Sequence, residues 1–267
     1  MWRLTERTSR NTDPVSFLQI GPLRLYYEVH GSGGKPLVLI HGGGSTIQTN
    51  WSVVLPLLAK TRTVIAVELQ AHGHTADVDR PESFEQDADD VAALIDLVKL
   101  QQVDLFGFSN GGHTAMQVAI RHPGIVRKLV VASASYKREG MVPGFFDWME
   151  KASLDNMPTP LKDAFRAINP DPRALQAMHD KDAERMRTFR DWSDDALRSI
   201  SAPTLLINAD NDVVTTDHTL AMSRLISGSR VLIVPGTHGS YLGEVCTAVP
   251  GSRMPEMVVR VVEECLE

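Results

Sequence analysis

Val103-Asp104-Leu105-Phe106-Gly107-Phe108-Ser109-Asn110-Gly111-Gly112-His113-Thr114-Ala115 is the stretch on which the reading of this chain turns. Five mostly apolar residues lead into Gly107-Phe108-Ser109-Asn110-Gly111, and a good helix-forming sequence follows. This is G-x-S-x-G in the setting that gives it meaning, a strand, a sharp turn and a helix. A serine on such a turn takes a strained backbone, which small neighbours make sterically accessible. Its hydroxyl then stands clear above the sheet edge, at the positive end of the next helix. Alone, the pentapeptide reads equally well as a glycine-rich turn with an incidental serine. The decision rests on whether an oxyanion site precedes it and an acid and a histidine follow.

The rest of the chain sets the frame. Its 267 residues can hold one large α/β domain with an insertion, or two small domains. Hydrophobic residues at 43% and charged residues at 22% are ordinary for a globular protein. A net charge of -6, with no basic run, argues against a nucleic-acid or membrane partner. The N-terminus lacks the apolar core of a signal peptide, and no apolar run is long enough to span a bilayer. Cys246 and Cys265 fit no metal-ligand spacing; free thiols in a reducing cytosol are the expectation, with a disulfide between them the alternative. A cytoplasmic protein without metal or cofactor is expected.

Residues 1–14 read as a polar arm. Val15–Ile20 and Leu23–Val29 read as a hairpin, and Leu37–Ile40 as a strand covered on both faces. A helix from near Asn50 through Leu58, a buried strand at Thr63–Glu68 and a helix over Ser83–Lys99 follow, the last capped by Ser83 with Gln86 three residues on. After the elbow and its helix comes a strand at Arg127–Ala132. From Tyr136 to Ile200 no strand is expected, only short helical segments punctuated by prolines. Alternation resumes with a strand at Thr204–Ala209, a helix from Thr216 to Ile226, a strand at Arg230–Val234 and a helix from Pro255 to Cys265. The expectation is an α/β fold with a mostly parallel sheet of about eight strands. Its core is 15–135 plus 201–267, with a helical insertion at 136–200 after the sixth strand.

A serine hydroxyl needs a base to become nucleophilic, normally a histidine oriented by a carboxylate. Nine histidines compete: His30, His41, His72, His74, His113, His122, His179, His218 and His238. His113 lies on the helix after the elbow and is read as facing away from its tip. His122 ends that helix, His179 is inside the insertion, and His218 opens a helix. His238 alone follows a late strand through a short glycine-flanked loop, where a base belongs. For the acid, Asp210 and Asp212 both lie past the end of a strand, and spacing does not choose between them. The oxyanion donors expected are the backbone amides of Asn110 and of Gly43, with Gly44 next, in His41-Gly42-Gly43-Gly44. His41 is expected to brace that loop. The order oxyanion loop, Ser, Asp, His is that of α/β-hydrolases.

On these residues the chain resembles the α/β-hydrolase superfamily, over almost all of its length after the arm. It is most similar to capped esterase, enol-lactonase and haloperoxidase-like members. Glu68-Leu69-Gln70-Ala71-His72-Gly73-His74-Thr75 is similar to the family's D-x-x-G-x-G-x-S loop, and Arg121-His122-Pro123 matches as well. The resemblance puts the acid at Asp212, the last position of the family's G-D-x-D loop, and gives Asp210 the shaping of the turn. The chain departs from the pattern at Glu68, Ala71 and Ala209, and in the residues after His238. Phe108 before Ser109, and the place of the insertion, set it apart from hormone-sensitive-lipase-like esterases. Ser109 sets it apart from relatives with an aspartate nucleophile.

The resemblance implies that the insertion caps the serine. Phe145, Phe146 and Trp148, with Gly44, are expected to meet substrate. A near balance of charge in the cap points to a small or medium, largely apolar ester or lactone. The alternatives are C–C hydrolysis or perhydrolysis with the same triad, or a ligand-binding receptor on a hydrolase scaffold.

Overall fold

In the computed structural model residues 15–267 are described; the segment read as an arm, 1–14, lies outside the described residues. β1 (Val15–Ile20) and β2 (Leu23–His30) pair antiparallel across Gly21-Pro22. β3 (Leu37–Ile40) follows, then the short helices α1 (Ile47–Trp51) and α2 (Leu55–Leu58). Next come β4 (Val64–Glu68), α3 (Phe84–Leu97), β5 (Val103–Phe108), α4 (Asn110–Arg121) and β6 (Val126–Ala132). The sheet order is β1-β2-β4-β3-β5-β6, continued by β7 (Thr204–Asn211) and β8 (Arg230–Thr237). Among the described strands, the β1–β2 and β2–β4 pairings are antiparallel and the others parallel. The eight-stranded, mostly parallel sheet agrees with the expectation.

Residue alternation along the central strands divides the core in two. Val38, Ile40 and Leu105 pack with Val91, Leu94 and Ile95 of α3 and Met116 of α4. Leu37, Leu39 and Phe106 face the other way, onto Trp51 of α1, Leu58 of α2, and Val258 and Val262 of α10 (Met254–Leu266). With both faces covered, β3, β4 and β5 are apolar at nearly every position and wholly buried.

Between β6 and β7 lie α5 (Phe145–Met149), α6 (Thr159–Ile168), α7 (Pro172–Arg187) and α8 (Asp194–Arg198), and no strand. α9 (Thr216–Leu225) connects β7 to β8. The insertion has two small apolar clusters, and each takes one residue from outside it. Met157, Leu161, Phe165 and Met178 enclose Ala71, while Met149, Met186 and Phe189 enclose Phe84. Ala71, one of the departures from the pattern that the sequence resembles, keeps the left-handed backbone, φ +62°. Its methyl group joins the insertion's cluster, which gives that departure a physical use.

Most elements shift by a residue or two at their ends, and the larger differences from the sequence reading have a physical reason. The single helix expected from Asn50 to Leu58 is two. Thr46 caps the first, accepting from Thr49 N, and Pro56, which has no N–H to continue a ladder, opens the second. β7 and β8 run past Ala209 and Val234, because their pairing resumes at Asn211↔Thr237 after a register shift. Cys246 and Cys265 are both free thiols. Among the described residues no helix is long and apolar enough to cross a membrane.

Candidate active site

The elbow exists because two glycines let backbones touch. A Cβ on Gly107 would sit 2.0 Å from the Gly111 carbonyl oxygen, and one on Gly111 2.1 Å from the Ile40 oxygen. Those approaches hold the start of α4 against β5 and β3. Ser109, between them, has φ +54° and ψ -122°, a conformation costly for a residue with a side chain. Its N–H donates to Ala132 O at 2.9 Å, tying the turn to β6.

The structure brings Ser109, His238 and Asp212 together. Ser109 Oγ lies 3.0 Å from His238 Nε2, and His238 Nδ1 lies 2.7 Å from Asp212 Oδ1. With a carboxylate on Nδ1, that nitrogen carries the proton, so Nε2 accepts from the serine hydroxyl. Asp212 is held on both oxygens. Val214 N donates to Oδ1 at 3.3 Å, and Ser133 Oγ donates to Oδ2 at 2.5 Å. Burial works to raise the Asp212 carboxyl, but the His238 hydrogen bond and charge, together with Ser133, hold it below its ordinary value. Asp210 is exposed and accepts from Gly236 N at 2.9 Å, bridging the loops after β7 and β8.

The loop after β3 has one amide to spare. Gly42 N donates to Asn50 Oδ1 at 2.7 Å, and Gly44 N donates to Asp182 Oδ2. His41 Nδ1–H reaches the Gly42 carbonyl at 2.8 Å, while its Nε2 accepts from Leu69 N at 3.1 Å. Burial first, and then the neighbouring His72, push His41 down to about 3, so the ring is neutral and the brace has a defined tautomer. Gly43 N is left without an acceptor among the described residues. Asn110, the first residue of α4, likewise has no helical acceptor for its N–H.

Ser109, His238, Gly43, Gly44, Asn110, Phe145 and Trp148 line one cavity of about 260 Å³, between the sheet edge and the insertion. Five methionines, Met141, Met149, Met157, Met178 and Met186, share its wall, and among the described residues no Lys or Arg does. Phe146 is a correction: it does not line the cavity, and its ring lies under the Arg138 guanidinium, 3.5 Å from the carbon to the centroid. His113 is a second correction. One helical turn beyond the serine, its Nδ1–H reaches back to Ser109 O at 3.0 Å, and the ring lines the cavity against Phe84.

Sequence reasoning missed the groups that hold the three central residues. Ser133 takes a hydrogen bond from the buried Tyr241 hydroxyl at 2.6 Å while donating to Asp212. Its place, directly after β6 on the edge that carries Ser109, is the signal that could have found it. Asp182 and His72, 110 residues apart, meet at 2.9 Å under the loop after β3. His72 Nδ1 also faces the Gln70 carbonyl at 2.7 Å, and Nε2, besides facing Asp182, lies 3.2 Å from Gly44 N; the Asp182 carboxylate favours the charged ring. Burial opposes that charge, but Asp182 outweighs it and holds His72 up at about 9.

Residues 37–246 match the model of the alpha/beta hydrolase family. Among curated relatives, the mouse serine hydrolase BPHL is 26% identical over 251 residues, covering 84% of this chain and 79% of that protein. The 2-hydroxymuconate semialdehyde hydrolase of Pseudomonas sp. (strain CF600) is 39% identical over 114 residues, which is 40% of this chain and 39% of that relative's length. Among solved structures, the enol-lactonase of Burkholderia xenovorans LB400 superposes with a TM-score of 0.71 at 19% identity, over 94% of this chain and 99% of that one. The match runs from β3, through the elbow, to the loop beyond His238, and the chain belongs to the alpha/beta hydrolase family.

Proposed function

We propose that the protein is a serine hydrolase of small to medium, uncharged and largely apolar carboxylic esters or lactones, acting through an acyl-enzyme. The observation that carries this reading is the hydrogen-bonded chain Ser109–His238–Asp212, opening into an apolar cavity beside two unpaired backbone amides. In it, Ser109 Oγ attacks the carbonyl carbon and His238 Nε2 takes its proton. Asp212 holds the Nδ1–H tautomer and stabilises the imidazolium. The Gly43 and Asn110 amides receive the oxyanion. His238 then protonates the leaving alcohol, and water, activated by the same imidazole, releases the acid. The insertion acts as the cap over this site.

The second reading is C–C bond hydrolysis with the same triad. The stretch 39% identical to 2-hydroxymuconate semialdehyde hydrolase favours it. A muconate is a carboxylate, however, and the cavity wall offers no Lys or Arg to receive one. A carboxylate stripped of water without a partner is costly, so neutral acyl groups fit better.

A fluorophosphonate probe followed by a substrate panel tests the reading. Labelling at Ser109, with multiple turnovers of p-nitrophenyl butyrate or a medium-ring lactone, is the expected result. Labelling without turnover would mark a receptor. Full activity in Ser109→Ala would defeat the assignment, since removal of the nucleophile should cost on the order of 10³-fold or more in kcat.

A further inference from the structure

We propose that Asp182, on α7 of the insertion, is a positioning residue that sets the oxyanion hole. The proposal rests on the esterase reading above. The two donors assigned there come from separate parts of the core, the loop after β3 and the first residue of α4, and one carboxylate is fastened beside both.

Asp182 Oδ2 accepts the Gly44 N–H, and Oδ1 accepts from the Asn110 side-chain amide at 3.3 Å. The three pieces are packed tightly. A Cβ on Gly43 would lie 2.4 Å from Asn110 Nδ2 and 3.1 Å from Asp182 Oδ2. With Gly42 N held by Asn50 and Gly44 N by Asp182, the intervening Gly43 amide is oriented from both sides. Loosening either end lets that amide turn from the site, and a preorganised donor is worth most when it need not reorient.

The charge arrangement shows what this contact requires. Asp182 is almost wholly buried, which alone would favour its neutral form. Arg185 and the charged His72 ring hold it ionised, well below the usual carboxylate range. Arg185 also reaches Asp87 at 2.5 Å and lies 3.6 Å from Glu82, both on the core side. Arg185 with Asp87 already joins α7 to α3. The additional buried anion is spent on Gly44 and Asn110, and a buried ion cluster is weak evidence for stability alone. The hole is therefore complete only with α7 seated on the core.

The test compares Asp182→Ala and the isosteric Asp182→Asn with Asp87→Asn, which weakens the same ion cluster without touching either donor segment. Thermal melts establish which variants fold, and the asparagine variant keeps the test open if alanine does not. For p-nitrophenyl butyrate, Asp182→Ala should lose about 10- to 100-fold in kcat with KM within about threefold. Asp182→Asn should fall between it and wild type, since asparagine keeps one acceptor. The Ki of 1-butaneboronic acid, whose tetrahedral adduct puts an oxygen in the hole, should rise in parallel with the loss. Asp87→Asn should keep kcat within about threefold. The proposal is overturned if folded Asp182 variants keep wild-type kcat and boronate affinity, or if Asp87→Asn loses as much as they do. Failure of the esterase reading looks different, as wild type labelled at Ser109 without turnover of the ester or as activity persisting in Ser109→Ala.

Discussion

Ser133 and Asp212 form the second anchor of the acid: Ser133 Oγ donates to Asp212 Oδ2 at 2.5 Å, with Tyr241 donating to the same serine oxygen at 2.6 Å. The chain Tyr241–Ser133–Asp212 takes the carboxylate oxygen that His238 leaves. It fixes the carboxylate plane, and so the imidazole that carboxylate orients. Ser133→Ala should lower kcat about 3- to 30-fold with KM nearly unchanged, because a charge-assisted hydrogen bond is lost. Tyr241→Phe, which leaves the Ser133–Asp212 bond intact, should cost less. Steady-state kinetics on one ester orders the pair, and a larger loss for Tyr241→Phe would refute this.

The two aspartates of the loop after β7 separate by the same measurement. Asp212→Asn presents an amide to His238 Nδ1 and favours the wrong tautomer, so kcat should fall on the order of 10³-fold or more. Asp210→Asn still offers an oxygen to Gly236 N at an exposed position and should stay within about threefold. The reverse result would exchange their roles.

The junction between α7 and the core should weaken in alkali. His72 keeps its proton up to about pH 9 in the fold, against an ordinary value of 6.5, and Glu82 is pushed up to about 8 by burial. In both cases the folded state binds more protons than the unfolded chain through this window, so stability falls as pH rises through it. The contribution of His72 is full below pH 6.5 and lost as pH passes about 9. Urea midpoints should drop between those values in wild type. They should drop less in His72→Gln, which starts lower; equal slopes would exclude His72 as the source.

The elbow predicts a stability cost of a different kind. A methyl group at Gly107 collides with the backbone of Gly111 and at Gly111 with that of Ile40, neither of which is a movable side-chain tip. Gly107→Ala and Gly111→Ala should each destabilise by about 2–4 kcal/mol, read from urea unfolding. Gly124→Ala, with open space at its Cβ, should be near neutral.

What could be read from the sequence was what local pattern encodes. Short apolar runs marked the strands, Ser83 marked a helix start, and the ends of strands marked where Ser109 and His238 belong, while Asp210 and Asp212 were told apart only by the family resemblance. Contacts between distant segments leave no such mark. Nothing near Asp182 announces His72, 110 residues earlier in the chain. Phe146 was misjudged because five helical residues carry too little periodicity to say which side faces inward. His113 was legible and was misread: four residues beyond Ser109 is one helical turn, on the same side of α4.

The methionine wall bears on which acyl acceptors the site can tolerate. If hydrogen peroxide replaced water at the acyl-enzyme, each turnover would release a peracid into a chamber faced by five thioethers. Thioethers take up oxygen readily, and a sulfoxide is polar where the wall must be apolar. Such a chemistry would oxidise its own chamber wall, whereas water or an alcohol as acceptor leaves the sulfurs untouched.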